Sequence, residues 1–495
     1  TAALRHVLPT DFTPNEIFYT RNHAGVPDIE DEDYELVVEI PGAPARVFTL
    51  EDLRTKFHQY DVVATVQCAG NRGEEFHGLG KGSTRGVFQA PHWNVAAISN
   101  GMWSGPRMRD ILAACGLPVD DLALGKQYDA RLQHVEFESY DEDETGQRYH
   151  ASVPFDKLIA AQGDAIVALK LNGRPLPRDH GYPARALAPG HAGARQPKWL
   201  HKIKVKAEPN GVLQCLGFAP DITFEDHLAS WPPKELEQSR VVQEMPVQSL
   251  VSRPPQNSTI GTKGGLEMVT VKGVAWSGSG VGIHRVDVSV DGGKTFTAAD
   301  MEKPPVEQHR RAQWGWRIFE KRVPVPAWAQ RELALGKRVK LEVLSKAVDG
   351  CYNVQPENPE AYVNARGVSV NHFYRVNVTL DPHLPSGMTI NPAAIAAEMG
   401  DTSGVNTPSN GHWRAPWKHH GWTNTGTSKD QDDPSSWVKK STPENTKNEP
   451  GIKATIDWDY YRNLKPMPWW KGAKPMKIEM PKGVWPREYI SDEDE

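Results

Sequence analysis

Long apolar runs are missing from this chain. No stretch approaches the roughly 18 consecutive apolar residues that a bilayer span requires, so no membrane-spanning helix is expected. Cysteine is scarce, with four in 495 residues (Cys68, Cys115, Cys215 and Cys351). They form neither C-x-x-C nor C-x-x-C-H, which argues against a cysteine-built zinc site and against covalently attached haem. An excess of positive charge is also lacking. The formal net charge of −5 makes nucleic acid a poor choice of main partner. No internal repeat is visible. The glycine-rich stretch at 78–84 carries Lys81 out of the order a phosphate loop needs, and Gly278, Gly280 and Gly282 precede no helical pattern. The acidic run from Asp141 resembles the start of a calcium loop, but its twelfth position is Ser152 instead of a glutamate.

What is present reads as several globular units. A chain of this length holds two to four domains, and 42 glycines with 40 prolines imply many turns. Thr49 to Asp52 has capping-box spacing, with Asp in place of the usual Glu, ahead of a short helix through Phe57. Met108, Ile111, Leu112 and Cys115 fall on one helical face and Gly116 stops it, which makes Cys115 a core residue. A second short helix is expected at Phe155 to Ala161. Strands are expected at Ala165 to Leu171 and Ile203 to Val205. After a turn-rich stretch, Pro246, Pro254 and Pro255 mark a boundary. From Met268 the pattern alternates, and Asp291-Gly292-Gly293 is a hairpin signal. Val339 to Val343 and Tyr374 to Leu380 complete a set of strands at sandwich-like spacing. Beyond Asp381 the texture changes again. Eight of the 16 tryptophans lie between Trp413 and Trp485, separated mostly by proline, lysine and polar residues. Disordered chains are poor in aromatics, so this part reads as an extended arm pinned onto its own body or a neighbour.

The chemistry concentrates at Asp61 to Arg72, DVVATVQCAGNR. A run of strand formers ends at Cys68, and Gly70 and Asn71 turn the backbone. A soft thiolate at the mouth of a strand can hold a metal or attack a substrate. This segment resembles the molybdenum-centre motif of the sulfite oxidase family. NEIFYTRNH (Asn15 to His23), PRDHGYPARALAPGHAGARQPKWL (Pro177 to Leu200), KAVDGCYNVQPE (Lys346 to Glu357) and NARGV (Asn364 to Val368) look like further family segments in family order.

The resemblance implies an α+β chain. A mixed α/β molybdopterin-binding domain at 10–240 would precede an immunoglobulin-like dimerisation sandwich at 245–382, with the Trp/Pro-rich arm at 383–495. It puts Cys68 in the role of metal ligand. Tyr19, Thr20, Arg21, Asn22, His23, Asp141, His180, Arg185, Gln196, Pro197 and Lys198 would hold the molybdopterin, whose phosphate calls for cationic and hydrogen-bonding groups. Arg21, Arg366 and Trp93 would hold a small oxyanion. The implied reaction is oxidation of sulfite to sulfate. With no segment like the family's haem module, electrons would pass to an external acceptor, such as a c-type cytochrome or dioxygen. A homodimer is implied, with a larger assembly through the arm as a further expectation. Either a mitochondrial intermembrane space or a bacterial periplasm would suit a trimmed chain.

Two positions depart from the pattern. Gly73 stands where the family usually has a second arginine, and Cys215 stands where it has a pocket tyrosine. Both changes are expected to open and reshape the pocket, with Lys81 or Arg85 as substitute cations. Two rival readings follow, a molybdopterin enzyme for another sulfur compound and a degenerate member serving as a structural subunit. A nitrate reductase is disfavoured because Arg366 matches the sulfite-type pocket.

Overall fold

The computed structural model describes residues 10–22, 24–76, 94–123, 131–143, 146–209, 241–309, 312–360, 362, 364 and 367–391. Among them no helix is long and apolar enough to cross a membrane.

Among the described residues the first half holds two larger sheets and a two-stranded one, Ile166–Ala168 with Arg185–Leu187. A mixed five-stranded sheet takes the order Arg46–Thr49, Glu35–Glu39, Leu200–Lys206, His134–Glu142, Arg148–Pro154, with one parallel pair between Glu35–Glu39 and Leu200–Lys206. A second, antiparallel sheet runs Tyr60–Gln67, Ile98–Gly105, Lys170–Leu171, Arg174–Pro175. The apolar run Val62 to Val66 lies in the edge strand of that sheet and is buried on both faces, which is why it does not alternate with polar residues.

Helices cap this layer where their sequence signals stand. Thr49 caps the helix Leu50–Thr55 with both arms of the capping box formed, Asp52 N–H to Thr49 Oγ1 at 3.1 Å and Thr49 N–H to Asp52 Oδ2 at 3.3 Å. The helix Met108–Ala114 buries Met108, Ile111 and Leu112, and Gly116 ends it in the left-handed region at φ +96°. Cys115 packs in that core, and burial pushes its thiol up to about 11. The expected helix from Phe155 stops at Ile159, and a separate 3-10 turn follows at Ala161–Gly163. The single strand expected at Ala165 to Leu171 is two. Ile166–Ala168 pairs with Arg185–Leu187, whereas Lys170–Leu171 pairs with Ile98–Gly105. Two sheets claim the two ends of one apolar run, which propensity cannot foresee.

The second half is a β-sandwich. One sheet has the order Gln248–Arg253, Met268–Trp276, Arg317–Pro324, Asp300–Met301. The other has Thr297–Ala298, Ile283–Ser289, Val339–Asp349, Tyr374–Pro385, Thr259–Lys263, Thr389–Ile390. Their inner faces meet in one core that includes Val271, Val286, Phe319, Val343 and Val376. Gln248–Arg253 already belongs to the sandwich, so the prolines at 254 and 255 fall inside it. The turn at Asp291-Gly292-Gly293 is as expected, with both glycines at positive φ.

The halves meet along the strand that leads to Cys68. Trp276 Nε1 donates to Gln67 Oε1 at 2.7 Å, Thr65 N–H to Trp314 O at 3.0 Å, and Gln308 Nε2 to Val63 O at 2.8 Å. Gly190 and Gly278 touch backbone to backbone. A Cβ on Gly190 would lie 2.1 Å from Gly278 O, so a side chain there would force the halves apart.

Candidate functional site

Cys68 begins the turn that follows its strand. Its N–H donates to Ala97 O at 2.9 Å, Asn71 N–H closes back on Cys68 O at 3.0 Å, and Gly73 N–H on Gly70 O at 2.9 Å. Gly70 leaves the sulfur room, since even a Cβ there would stand 3.9 Å from Cys68 Sγ. The thiol faces a cavity lined by Tyr19, Thr20, Arg21, Asp141, Tyr149, Arg185, Gly193, Ala194, Gln196, Pro197, Lys198 and Trp199. It encloses about 670 Å³ of space, the open solvent at its mouth included.

Four segments far apart in sequence build these walls. The first is the chain after the 3-10 turn Asn15–Ile17, held by Tyr19 N–H to Ser99 Oγ at 2.8 Å. The Tyr19 hydroxyl hydrogen-bonds Cys68, and burial beside that sulfur drives its ionisation well above the ordinary tyrosine range. The strands His134–Glu142 and Leu200–Lys206 both lose regular register near Ser139 and Leu200. Such irregularities re-aim side chains at sheet ends. Here Asp141 turns inward and Trp199 takes φ +51°. Tyr149 Oη donates to Ala194 O at 2.7 Å and fixes the small-residue wall.

Of the eleven residues that the resemblance assigns to cofactor binding, eight line this cavity. Asn22 and His180 stand one step behind it. The Lys198 ammonium hydrogen-bonds Asn22 Oδ1 and reaches Asp179 O at 2.9 Å. His180 Nε2 donates to Asn15 O at 3.0 Å, which leaves Nδ1 facing the Thr20 hydroxyl at 3.2 Å. His23, Trp93, Arg366, Cys215, Lys81 and Arg85 lie outside the described residues. Tyr149, Gly193, Ala194 and Trp199 escaped the sequence reading. Three of these sit in the quoted stretch PGHAGARQPKWL, where a run of small residues beside a turn is a usable signal. Tyr149 had none, because its place depends on strand pairing.

One expectation is corrected. Gly73 does not open the pocket. A Cβ built on it would stand 2.8 Å from Gly367 O, so backbone from the second half fills the space where a side chain would project.

The electrostatics identify what the cavity lacks. Burial pushes Lys198 down to about 7, assisted by the charge of Arg185. Burial pushes Arg185 down to about 10 and His180 down to about 4. The carboxylate in the lining, Asp141, is raised by burial despite its hydrogen bond from Ser139. Arg185 reaches only carbonyls, His180 O at 3.4 Å and Gln196 O at 3.3 Å, and its Nε is buried without a partner, as is Gln196 Oε1. Buried donors of this kind normally find acceptors. Three cations, Arg21, Arg185 and Lys198, line the cavity with one carboxylate, Asp141, and this surplus of positive charge fits an anionic group such as a phosphate. Among the described residues no three His, Cys, Asp or Glu side chains gather to hold a metal alone.

Comparison with known proteins agrees with this geometry. The family model described as oxidoreductase molybdopterin binding domain matches residues 23–212, and that described as Mo-co oxidoreductase dimerisation domain matches residues 239–381. The chain is similar to mitochondrial sulfite oxidase of Rattus norvegicus, 37% identical over 75% of this chain and 62% of that protein. It therefore spans about three-fifths of the length of that relative. It is also similar to sulfite oxidase of Arabidopsis thaliana, 35% identical over 74% of this chain and 88% of that one. The fold is similar to the crystal structure of the sulfane dehydrogenase SoxCD from Paracoccus pantotrophus, with TM-score 0.57, 22% identity, and coverage of 77% and 86% of the two chains.

Proposed function

The chain belongs to the sulfite oxidase family of molybdenum oxidoreductases, and on that premise we propose that it oxidises a small sulfur oxyanion, sulfite first. When bound, the molybdopterin centre supplies two-electron oxo transfer. The overall change would be sulfite plus water to sulfate, two protons and two electrons, the electrons leaving to an external acceptor. A c-type cytochrome or dioxygen would serve.

The observation that supports this reading is the placement of Cys68 Sγ in a cavity whose lining cations, Arg21, Arg185 and Lys198, outnumber its one lining carboxylate, Asp141. Cys68 would give its thiol proton to solvent and bind the metal through sulfur, with the Tyr19 hydroxyl donating to that sulfur and fixing its direction. Lys198, Arg185 and Gln196 would take the phosphate and polar edge of the pterin, Arg185 through the Nε that now has no acceptor. Thr20, Asn22, His180, Asp141 and Pro197 would shape and support that pocket. Arg21, at the cavity wall, would hold the substrate anion. Arg366, Trp93 and His23 keep the roles that the resemblance implies. A homodimer through the sandwich, the three-part division of the chain and a partner for the arm belong to the same proposal.

The test begins with molybdenum content per chain, followed by sulfite-dependent reduction of ferricyanide and of cytochrome c. Stoichiometric metal with sulfite turnover is expected, and Cys68→Ser should abolish turnover. Metal without sulfite turnover would favour a different sulfur substrate. Unchanged activity in Cys68→Ser would remove the ligand assignment.

A further inference from the structure

The turn after Cys68 is fastened to the sandwich by a set of buried and half-buried charged groups outside the cavity lining. Arg72 is fully buried and sits at φ +67°, a strained position for an arginine. Its Nε and Nη2 donate to the two oxygens of Glu75 at 2.6 and 2.7 Å. Its Nη1 donates to His372 O at 2.9 Å, and its guanidinium lies over the Tyr374 ring at 5.1 Å. His372 Nε2 meets Glu75 Oε2 at 2.8 Å.

The tautomer of His372 follows by exclusion. Tyr362 Oη accepts from Asn371 N–H at 3.1 Å and His372 N–H at 2.7 Å, so both its lone pairs are used. Its own proton goes to His372 Nδ1 at 2.8 Å. The ring proton is therefore on Nε2 and is donated to Glu75. Beside this network Ser369 N–H donates to Ala69 O at 2.8 Å, and Gly367 O fills the space beside Gly73. Gln355 Nε2 holds Asn371 O at 2.8 Å, while its Oε1 accepts from Ser249 in the opposite sheet at 2.6 Å. The strap is thus continuous with the core of the sandwich.

We propose that Arg72, Glu75 and His372 are positioning residues, a clamp through which the sandwich sets the direction of the Cys68 thiol and the fit of the Gly367 turn against it. Its consequence for turnover rests on Cys68 being the metal's ligand. The clamp itself does not, and metal-free protein tests it.

The measurement is the rate at which iodoacetamide labels Cys68 in the full-length, cofactor-free chain, read by peptide mass spectrometry with buried Cys115 as internal reference. Glu75→Gln should speed labelling of Cys68 about tenfold, the opening expected when a charged hydrogen bond is lost, with Cys115 unchanged. His372→Ala should give a smaller rise, and His372→Gln, which keeps an N–H donor, should bring the rate back towards wild type. If Glu75→Gln does not fold, the two His372 variants decide. In metal-loaded protein the same variants should lower kcat with little change in KM and shift the reduction potential of the metal. Equal acceleration at Cys68 and Cys115, or none at Cys68 in folded variants, would overturn the clamp. Loss of sulfite turnover with an intact labelling pattern would instead count against the substrate reading alone.

Discussion

Two arginines sit at nearly the same depth and have opposite surroundings. Arg72 is 0% exposed and Arg185 is 5% exposed, and each guanidinium stands 5.1 Å from an aromatic ring, Tyr374 in one case and Trp103 in the other. Arg72 has a carboxylate gripping two of its nitrogens and a carbonyl on the third. Although burial works against its charge, Glu75 raises its basicity above the ordinary value. In return Arg72 holds Glu75 down to about 2, against the effect of burial. Arg185 has two long carbonyl contacts, an unpartnered Nε and a lowered basicity. The first is a satisfied structural charge. In the proposed reading, the second receives an anion from outside the chain. Completeness of partners, more than burial, separates the part of this site that builds from the part that binds.

Removing each side chain should therefore have opposite effects. Arg72→Ala leaves Glu75 with His372 alone and should destabilise the protein by about 3 kcal/mol, with or without cofactor, because three charge-assisted hydrogen bonds are lost at a buried position. Denaturant unfolding of the cofactor-free protein checks it, and a loss below about 1 kcal/mol, the range of a surface pair, would break the comparison. Gly73→Ala, in the same turn, drives a Cβ onto Gly367 O at 2.8 Å. It should cost roughly 1–3 kcal/mol by overpacking and loosen the turn that carries Cys68. Arg185→Met should do the reverse of Arg72→Ala. It replaces an underpaired buried cation by an apolar chain, so the empty protein should lose less than about 1 kcal/mol or gain. Cofactor retention should fall about tenfold or more, as expected when a charge-assisted contact is lost. Molybdenum content after gel filtration reads that loss.

How much of this was legible beforehand follows the range of each interaction. The Cys68 strand was readable because Val62 to Val66 is a local pattern, and the capping box at Thr49 because its donors are three residues apart. The segments of the cavity were readable as segments. Their convergence was not, since Tyr149 enters the wall only through the pairing of His134–Glu142 with Arg148–Pro154. Gly73 misled in an instructive way. A missing side chain reads as empty space in one dimension, yet the glycine at 367 comes in to occupy it. The clamp was beyond reach, because Arg72 and the carbonyl of His372 are 300 positions apart.

Lys198 sharpens the comparison through pH, with the smallest effect of the set. In the empty pocket it titrates at about 7, lowered from 10.5 mainly by burial. The unfolded chain keeps that proton up to its ordinary value, so between 10.5 and 7 the unfolded state binds more protons. Relative to Lys198→Met, the empty wild type should therefore lose stability as the pH falls through that window, and no further below it. An anion in the pocket restores the proton. Binding of inorganic phosphate to the cofactor-free protein should thus take up a proton between pH 7.5 and 9.5, where the phosphate is already doubly charged. The affinity should weaken by up to about tenfold per pH unit as the pH rises. Calorimetry in two buffers of different ionisation enthalpy gives the proton count directly. In Lys198→Met the uptake should vanish while Arg72 and its partners are untouched. Uptake that survives the substitution would assign the proton to another group and leave Arg185 as the cation that distinguishes the binding wall from the clamp.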